Sequence, residues 1–447
     1  MSRAELSAAL SLSGVYALRM LGLFMILPVF ALYATHLEGV TPALTGLAIG
    51  VYGVTQALLQ IPAGLLSDRI GRKPVIIGGL LVFALGSMVA AEAESIHLVI
   101  FGRALQGSGA IAAAIMALAA DLTREEHRIK TMALIGMSIG LSFAVALIIG
   151  PVLDRWVGVP GIFWITAVLA LGGVAVVAFI VPRPVEIRIH REAEAVPAQF
   201  GRVLRQPELL RLDFGILMLH AILTASFVVL PLVLRDEAGL AASNHWQVYL
   251  PVLVCSVLAM LPLIIQAERK GRIKPVFVFA IALLVAAETG LYLVPVPVSV
   301  FSVVALLFVF FTAFNLLEAT LPSLISRVAP VDCRGTAMGV YSSSQFFGAF
   351  LGGTLGGVLH GRFGLHAVFI VAALGALVWL LLALSMTPPP KLSSYIYRLD
   401  ADFDGDAVAL SHRLAGMAGV TEAVVVAEER VAYLKVDRQH FDAASLP

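Results

Sequence analysis

Long uninterrupted apolar runs constrain this chain more than any other feature of its sequence. Of its 447 residues, 60% are hydrophobic and only 13% charged, and the apolar residues are continuous where a water-soluble core would show short periodic stripes. A helix rises about 1.5 Å per residue and the hydrocarbon core of a bilayer is about 30 Å thick, so one span needs roughly 20 mainly apolar residues. Twelve such stretches are found, near 10–34, 43–66, 74–92, 97–121, 131–153, 161–181, 212–234, 247–267, 275–294, 299–325, 335–359 and 366–386. The fold expected is an all-α membrane protein of twelve transmembrane helices. The first run is too long for the core of a secretory signal and only Arg3 precedes it, so it is expected to stay as the first span.

Net charge is +1, which by itself selects no partner, but the placement of lysine and arginine sets an orientation. With the N-terminus inside, the inner segments hold Arg69, Arg72 and Lys73, then Arg124, Arg128 and Lys130, then six arginines between positions 183 and 211, then Arg269, Lys270, Arg272 and Lys274. The opposite loops hold only Arg155, Arg235 and Arg362. Both termini are therefore expected in the cytoplasm. Cys255 lies inside the eighth span and Cys333 in an inner loop, where no oxidising compartment would pair them, so two free thiols are expected.

One long polar stretch, 182–210, divides six spans from six and reads as an interdomain linker. Part of it, about 198–210, alternates Phe200, Val203 and Leu204 with Arg202 and Arg205, which suits either a short amphipathic helix on the inner membrane surface or a plain solvated loop. The sequence also repeats: Asp68-Arg69-Ile70-Gly71-Arg72 returns 200 residues later as Glu268-Arg269-Lys270-Gly271-Arg272. Parallel repeats of six spans, each with a charged loop after its second helix, are what a two-bundle transporter with a central pathway shows. The expected domains are 1–181, the linker 182–210, a second bundle 211–387 and a soluble tail 388–447.

The tail follows Pro388-Pro389-Pro390 and reads as strand 395–399, helix 407–415, and strands 423–426 and 430–436. This β-α-β-β order is most of an α+β ferredoxin-like unit; about ten residues remain for its last helix and strand, so it is expected to be truncated or completed by a partner. Asp400-Ala401-Asp402-Phe403-Asp404-Gly405 opens like a calcium loop, but Ser411 stands where a bidentate Glu is required, and aspartate capping a helix is the ordinary reading. The tail has no cysteine, hence no soft-metal ligands. No metal site or cofactor is expected. No His-Glu-x-x-His, lysine-bearing phosphate loop or nucleophile elbow is present, so no catalytic residue is assigned and direct ATP drive is disfavoured.

Gly64-Leu65-Leu66-Ser67-Asp68-Arg69-Ile70-Gly71-Arg72-Lys73 resembles the loop signature of the major facilitator superfamily between its second and third helices. A positive-inside loop with a turn glycine would explain the arginines but neither Asp68 nor the second copy. Arg103-Ala104-Leu105-Gln106-Gly107-Ser108-Gly109 is similar to the family's fourth-helix motif. Gly136, Gly140, Gly150 and Pro151 partly match its antiporter pattern, although Asp154 and Arg155 replace the closing glycines; such residues are also ordinary packing and kink positions. The whole chain, including Leu18-Arg19-Met20-Leu21-Gly22-Leu23-Phe24 and the tail, is similar to the YajR-type group of these facilitators.

The resemblance implies an inner-membrane, proton-driven efflux carrier, with small-molecule substrate, protons and lipid bilayer as partners and no nucleic acid. The tail could bind a regulator or self-associate. The alternative is a receptor that keeps a carrier fold and signals through the tail. In this family the pathway is lined by the first, fourth, seventh and tenth helices, which here carry Arg19, Arg103, His220 and Glu318. Glu318 is the first choice for proton carrier, with a nearby arginine or a substrate cation modulating it and Asn315, one turn earlier, binding substrate or orienting the acid. Arg19 and Arg103 could instead be fixed counter-charges, and His220 a neutral packing residue. Glu288 is the other intramembrane acid. Gly64, Asp68, Arg69, Gly71, Arg72 and Lys73 are expected to latch the inner face, with Asp68 at the start of the eleventh helix near Arg334-Gly335-Thr336 and the basic residues on carboxylates or lipid phosphates. Glu268, Arg269, Gly271 and Arg272 form the second copy.

Overall fold

The computed structural model describes residues 1–183, 195–388, 393–399, 406–426, 431–437 and 440–442. The long helices are α1 Arg3–Phe24, α2 Pro42–Ile70, α3 Arg72–Ala91, α4 Ile96–Ser108, α5 Ala112–Asp121, α6 Glu125–Ala175, α7 Pro207–Leu232, α8 Trp246–Arg269, α9 Ile273–Leu293, α10 Val300–Val328, α11 Arg334–Phe363 and α12 His366–Leu384. Among the described residues ten helices are long and apolar enough to cross a membrane. One of the ten runs 51 residues, Lys130–Ile180, which at about 1.5 Å per residue exceeds twice the bilayer core. It holds both the fifth and sixth apolar runs, and its helical geometry breaks at Gly158, φ 65°. The run at 335–359 is not among the ten, because α11 spends its length on glycine and serine.

Several ends differ from the sequence expectation. The first helix begins at Arg3, where Ser2 and Glu5 cap one another's backbone, and it stops at Phe24 ahead of Pro28, before a one-turn helix Phe30–Tyr33. The fourth run is two helices, separated at Gly109-Ala110-Ile111. Helix α7 starts at Pro207, several residues early, and so draws Asp213 into its buried part. Within 198–210 the helical part before α7 is one turn, Phe200–Val203, which buries Val203 against protein.

Helix α11 packs along α2 on one side and α7 on the other. Small residues allow this closeness. A Cβ on Gly46 would strike the Gly353 carbonyl, one on Gly53 the Phe346 carbonyl, and ones on Gly348 and Gly352 the carbonyls of Leu217 and Ala221. Toward the other end of the α2 seam, Gln60 Nε2 donates to Ser343 Oγ at 2.8 Å, and Ser343 Oγ to the Ala57 carbonyl at 3.2 Å. By contrast a Cβ on Gly136 or Gly140 would meet nothing within 4 Å among the described residues, so the packing role expected of them is corrected; a Cβ on Gly150 would strike the Met25 carbonyl where α1 breaks. Pro151 lies inside α6.

The tail forms a three-stranded antiparallel sheet of β1 Ser393–Arg398, β2 Val420–Val426 and β3 Val431–Val436, in order β1-β3-β2, with helix α13 Ala407–Ala415 between β1 and β2. Asp406 caps α13 by accepting from Val408 and Ala409 N–H. The proposed calcium loop, 400–405, lies outside the described residues. The sheet docks on the turn between α10 and α11: Lys435 Nζ donates to the Ala329 carbonyl at 2.8 Å, and Arg202 reaches both Asp332 (2.8 Å) and Glu422 (4.0 Å). Burial holds the Lys435 ammonium below the usual lysine range. Cys333 is fully buried in the same turn, and burial pushes its thiol up to about 11.

Candidate pathway and loop sites

Glu318 on α10, His220 on α7 and Gln345 on α11 meet inside the helix assembly. The Gln345 amide nitrogen lies 2.8 Å from His220 Nε2 and 3.3 Å from Glu318 Oε1, and Glu318 Oε2 is 3.9 Å from His220 Nε2. His220 Nδ1 faces the Ile216 carbonyl at 3.3 Å, which fixes the proton on Nδ1 and leaves Nε2 to accept from Gln345. Leu317 and Leu321 beside it are fully buried, yet Glu318 keeps 38% of its side-chain surface accessible. The Phe314 ring lies tilted at 60° to the His220 ring, 5.9 Å away, and Phe143 of α6 reaches Phe314 and Phe311 at 5.8 and 6.3 Å.

Asn315 does not join this group, contrary to expectation: its Nδ2 donates to Ser256 Oγ of α8 at 3.0 Å. One helical turn of separation put it near Glu318 in sequence, but its amide is turned to the neighbouring helix. Among the described residues no arginine pairs with Glu318 either. Arg19 and Arg103 lie together elsewhere, on the ring of Tyr52 at 5.8 and 5.3 Å, among N-terminal helices. Arg103 donates to the carbonyls of Ala48 (3.3 Å) and Ile49 (3.4 Å) and to Gln106 Oε1 (2.7 Å). Arg19 donates to Gln56 Oε1 (2.7 Å) and the Gly109 carbonyl (3.1 Å). These partners are neutral, so the counter-charge reading of the two arginines is also corrected. Glu288 of α9 is fully buried and accepts from Ser226 of α7 at 2.8 Å.

The two loop copies share a frame and differ in their acids. Gly71 and Gly271 both take the left-handed region, φ 99° and 64°, that turns one helix into the next. Lys73 Nζ meets the Val181 carbonyl at 2.8 Å and Lys274 Nζ the Leu384 carbonyl at 3.0 Å, so in each copy a lysine binds the carbonyl end of a later helix. Lys73 therefore meets carbonyls, where carboxylates or lipid were expected. Arg72 is buried; it hydrogen-bonds Asp68, Ser67 (2.8 Å) and Asp121 (3.2 Å) at the end of α5. Glu268 instead crosses to Arg327 of α10 at 2.6 Å. Arg69, Arg269 and Arg272 are exposed. Gly64 faces the Ala113 methyl group.

Asp68 thus bonds Arg72, and the start of α11 is occupied by the linker: the Thr336 hydroxyl accepts from Val196 N–H (2.9 Å) and donates to Gln199 Oε1 (2.8 Å), while Gln199 Nε2 donates to the Asp332 carbonyl (2.9 Å). Sequence reasoning missed Asp121, Asp213, Gln345, Gln56 and Tyr52. Asp213 stood at the very edge of the apolar run at 212–234, where an acid reads as lying at the membrane surface; the neutral residues carry no charge to single them out of an apolar run.

Residues 12–353 and 242–398 match the Major Facilitator Superfamily, and 402–441 match the YajR YAM domain. The chain is 48% identical over 437 residues to the inner membrane transport protein YajR of Escherichia coli K12, covering 98% of this chain and 95% of that protein. It is 25% identical over 346 residues to the multidrug resistance protein MdtH of Aeromonas salmonicida, covering 76% and 84%. Among solved structures it resembles a bacterial homologue of the human lysosomal transporter Spinster, with TM-score 0.71 at 13% identity over 86% of this chain and 97% of that one. With ten membrane-capable helices, a match across most of its length and a YAM domain at its end, the chain belongs to the Major Facilitator Superfamily of membrane transporters, alongside YajR.

Proposed function

We propose that the protein is a proton-coupled efflux carrier, an antiporter of a small molecule working by alternating access in the inner membrane, with both termini cytoplasmic. The observation that carries the proton role is Glu318, an acid among apolar helices that keeps part of its side chain accessible and shares the Gln345 amide with His220. An ionised carboxylate at mid-membrane costs roughly 2.5 to 3.5 kcal/mol on the gentlest scale, so taking up a proton there changes the energy of the whole arrangement. Gln345 and Phe346 are consecutive on α11: the first faces Glu318, the second packs 6.2 Å from Tyr52 of α2. When Glu318 is protonated it no longer attracts the amide as a carboxylate does. That change reaches the α2–α11 seam through one helix.

This reading takes the break at Gly158 as the turn between two spans and α11 as a further span, giving twelve in two six-helix bundles divided at 182–210. The β1-β3-β2 order supports a ferredoxin-like tail. The name of MdtH, a multidrug resistance protein, supports export. Nothing in the comparisons favours a receptor. The test is uptake or release of candidate solutes by purified protein in vesicles under an imposed proton gradient; solute movement indifferent to that gradient would sink the coupling.

Asp68 is proposed as the acid of a latch through Arg72. It keeps 24% of its side-chain surface accessible, so Asp68→Asn is expected to slow transport severalfold while expression and melting temperature stay near the parent values. Full activity would remove the latch. The tail is proposed as accessory: truncation after Thr387 should leave transport measurable. It should also speed maleimide labelling of Cys333 in a Cys255→Ser background, since the thiolate is the reactive form and the docked sheet keeps it buried and protonated. Unchanged labelling would show that the sheet does not shield that turn.

A further inference from the structure

Arg19 carries a charge that its surroundings do not balance. Its side chain is fully buried, and while Nη2 has two acceptors, Nε and Nη1 are buried with none. Gln56 is equally buried; its Oε1 accepts from Arg19 and lies 3.4 Å from the Tyr52 hydroxyl, and its Nε2 also lacks an acceptor. Among the described residues three donor nitrogens of one cluster thus have nothing to donate to. Arg103, 2% exposed, adds a second cation across Tyr52 with all its contacts neutral, and Phe83 lies 5.4 Å from the Arg19 guanidinium. Among the described residues no carboxylate comes within 4.0 Å of either arginine.

An arginine cannot shed its proton, and moving its charge out of water costs several kcal/mol even after relaxation. Ring faces at these distances return only part of that cost, and an internal water could answer the hydrogen bonds but not the charge. The missing partner is an acceptor that is negative. We propose that Arg19 and Gln56 form a docking point for the carboxylate of a transported solute, with the Tyr52 and Phe83 rings flanking it. The cluster adjoins the α2–α11 seam through Tyr52 and Phe346, where a solute passing between the helices would reach it. The word "transported" rests on the carrier reading above; the anion site does not.

The test is thermal unfolding of the purified full chain with benzoate, with its neutral isostere benzamide, and with chloride or phosphate alone. Benzoate is expected to raise the melting temperature saturably and benzamide to leave it unchanged, with Arg19→Gln weakening benzoate at least about tenfold. Gln56→Glu places a carboxylate beside Arg19 within the chain. That variant is expected to melt higher than the parent without ligand and to lose the benzoate response, which keeps the idea testable if Arg19→Gln does not fold. Equal effects of benzoate and benzamide, or a full benzoate response in Gln56→Glu, would overturn the site. Saturation by chloride or phosphate with no further gain from benzoate would overturn its assignment to a solute. Binding is read without a gradient, so a failed proton-coupling experiment and a failed anion site remain separate results.

Discussion

Glu318→Gln is expected to abolish solute movement driven by a proton gradient while leaving exchange of labelled for unlabelled solute intact. Glutamine keeps the size of the side chain and an oxygen to accept from Gln345, now 3.3 Å from Glu318 Oε1, but it cannot take or lose a proton. The carrier would be fixed in the arrangement of the neutral acid, in which the helices still move with solute bound. Arg103→Ala, by contrast, is expected to damage both modes, because it frees the Ala48 and Ile49 carbonyls of α2 and Gln106 Oε1 inside the helices. Vesicle assays run with and without an imposed gradient separate the two. If Glu318→Gln pumps normally against a gradient, the coupling acid lies elsewhere. Glu288, bonded to Ser226, and Asp213, which like Glu288 has one oxygen unpartnered among the described residues, are then the groups to replace.

What the sequence made legible follows from which interactions leave a local mark. Apolar runs marked the spans because a bilayer demands length and apolarity together. Gly71 and Gly271 were marked because a left-handed turn between two helices selects glycine, and the repeat of charged neighbours framed both. The Ser2 and Glu5 capping box was also present in the chain, three residues apart, but the search for apolar residues began beyond it. The seam between α2 and α11 had a mark too, small residues four apart at Gly46 and Gly50 and at Gly353 and Gly357, hidden among 39 glycines. Glu318 and His220 stood out as ionisable residues in apolar surroundings, and the structure brings them together. Gln345, which joins them, could not be singled out, since a neutral amide after three serines looks like any polar helix face. Asn315 shows the opposite failure: helical spacing gives a face but not which neighbour the side chain turns to.

Asp121→Asn should produce the largest loss of stability of any single change at the first loop copy. Arg72 and Asp121 are 49 positions apart in the chain, both with no accessible side-chain surface, and their nitrogen and oxygen lie 3.2 Å apart. Removing one partner of a buried pair costs about 3 to 5 kcal/mol, because the charge left behind loses the carboxylate that offset its desolvation most fully. Asp68 cannot make it up, since it already holds Arg72 and sits partly in solvent. The melting temperature should fall by several degrees or more, and expression with it. The informative companion is the double variant Arg72→Met with Asp121→Leu. Replacing a buried pair by apolar side chains of similar volume is often neutral or stabilising, so this protein should recover its melting temperature while Asp68 turns to water. Transport should not recover, because the acid that α2 presents would have lost the cation linking it to α5. Recovery of both would show that the pair only fills space. Failure of both to recover would mean that Arg72 is required for the helices to assemble, through its Ser67 and Asp68 contacts as much as through Asp121.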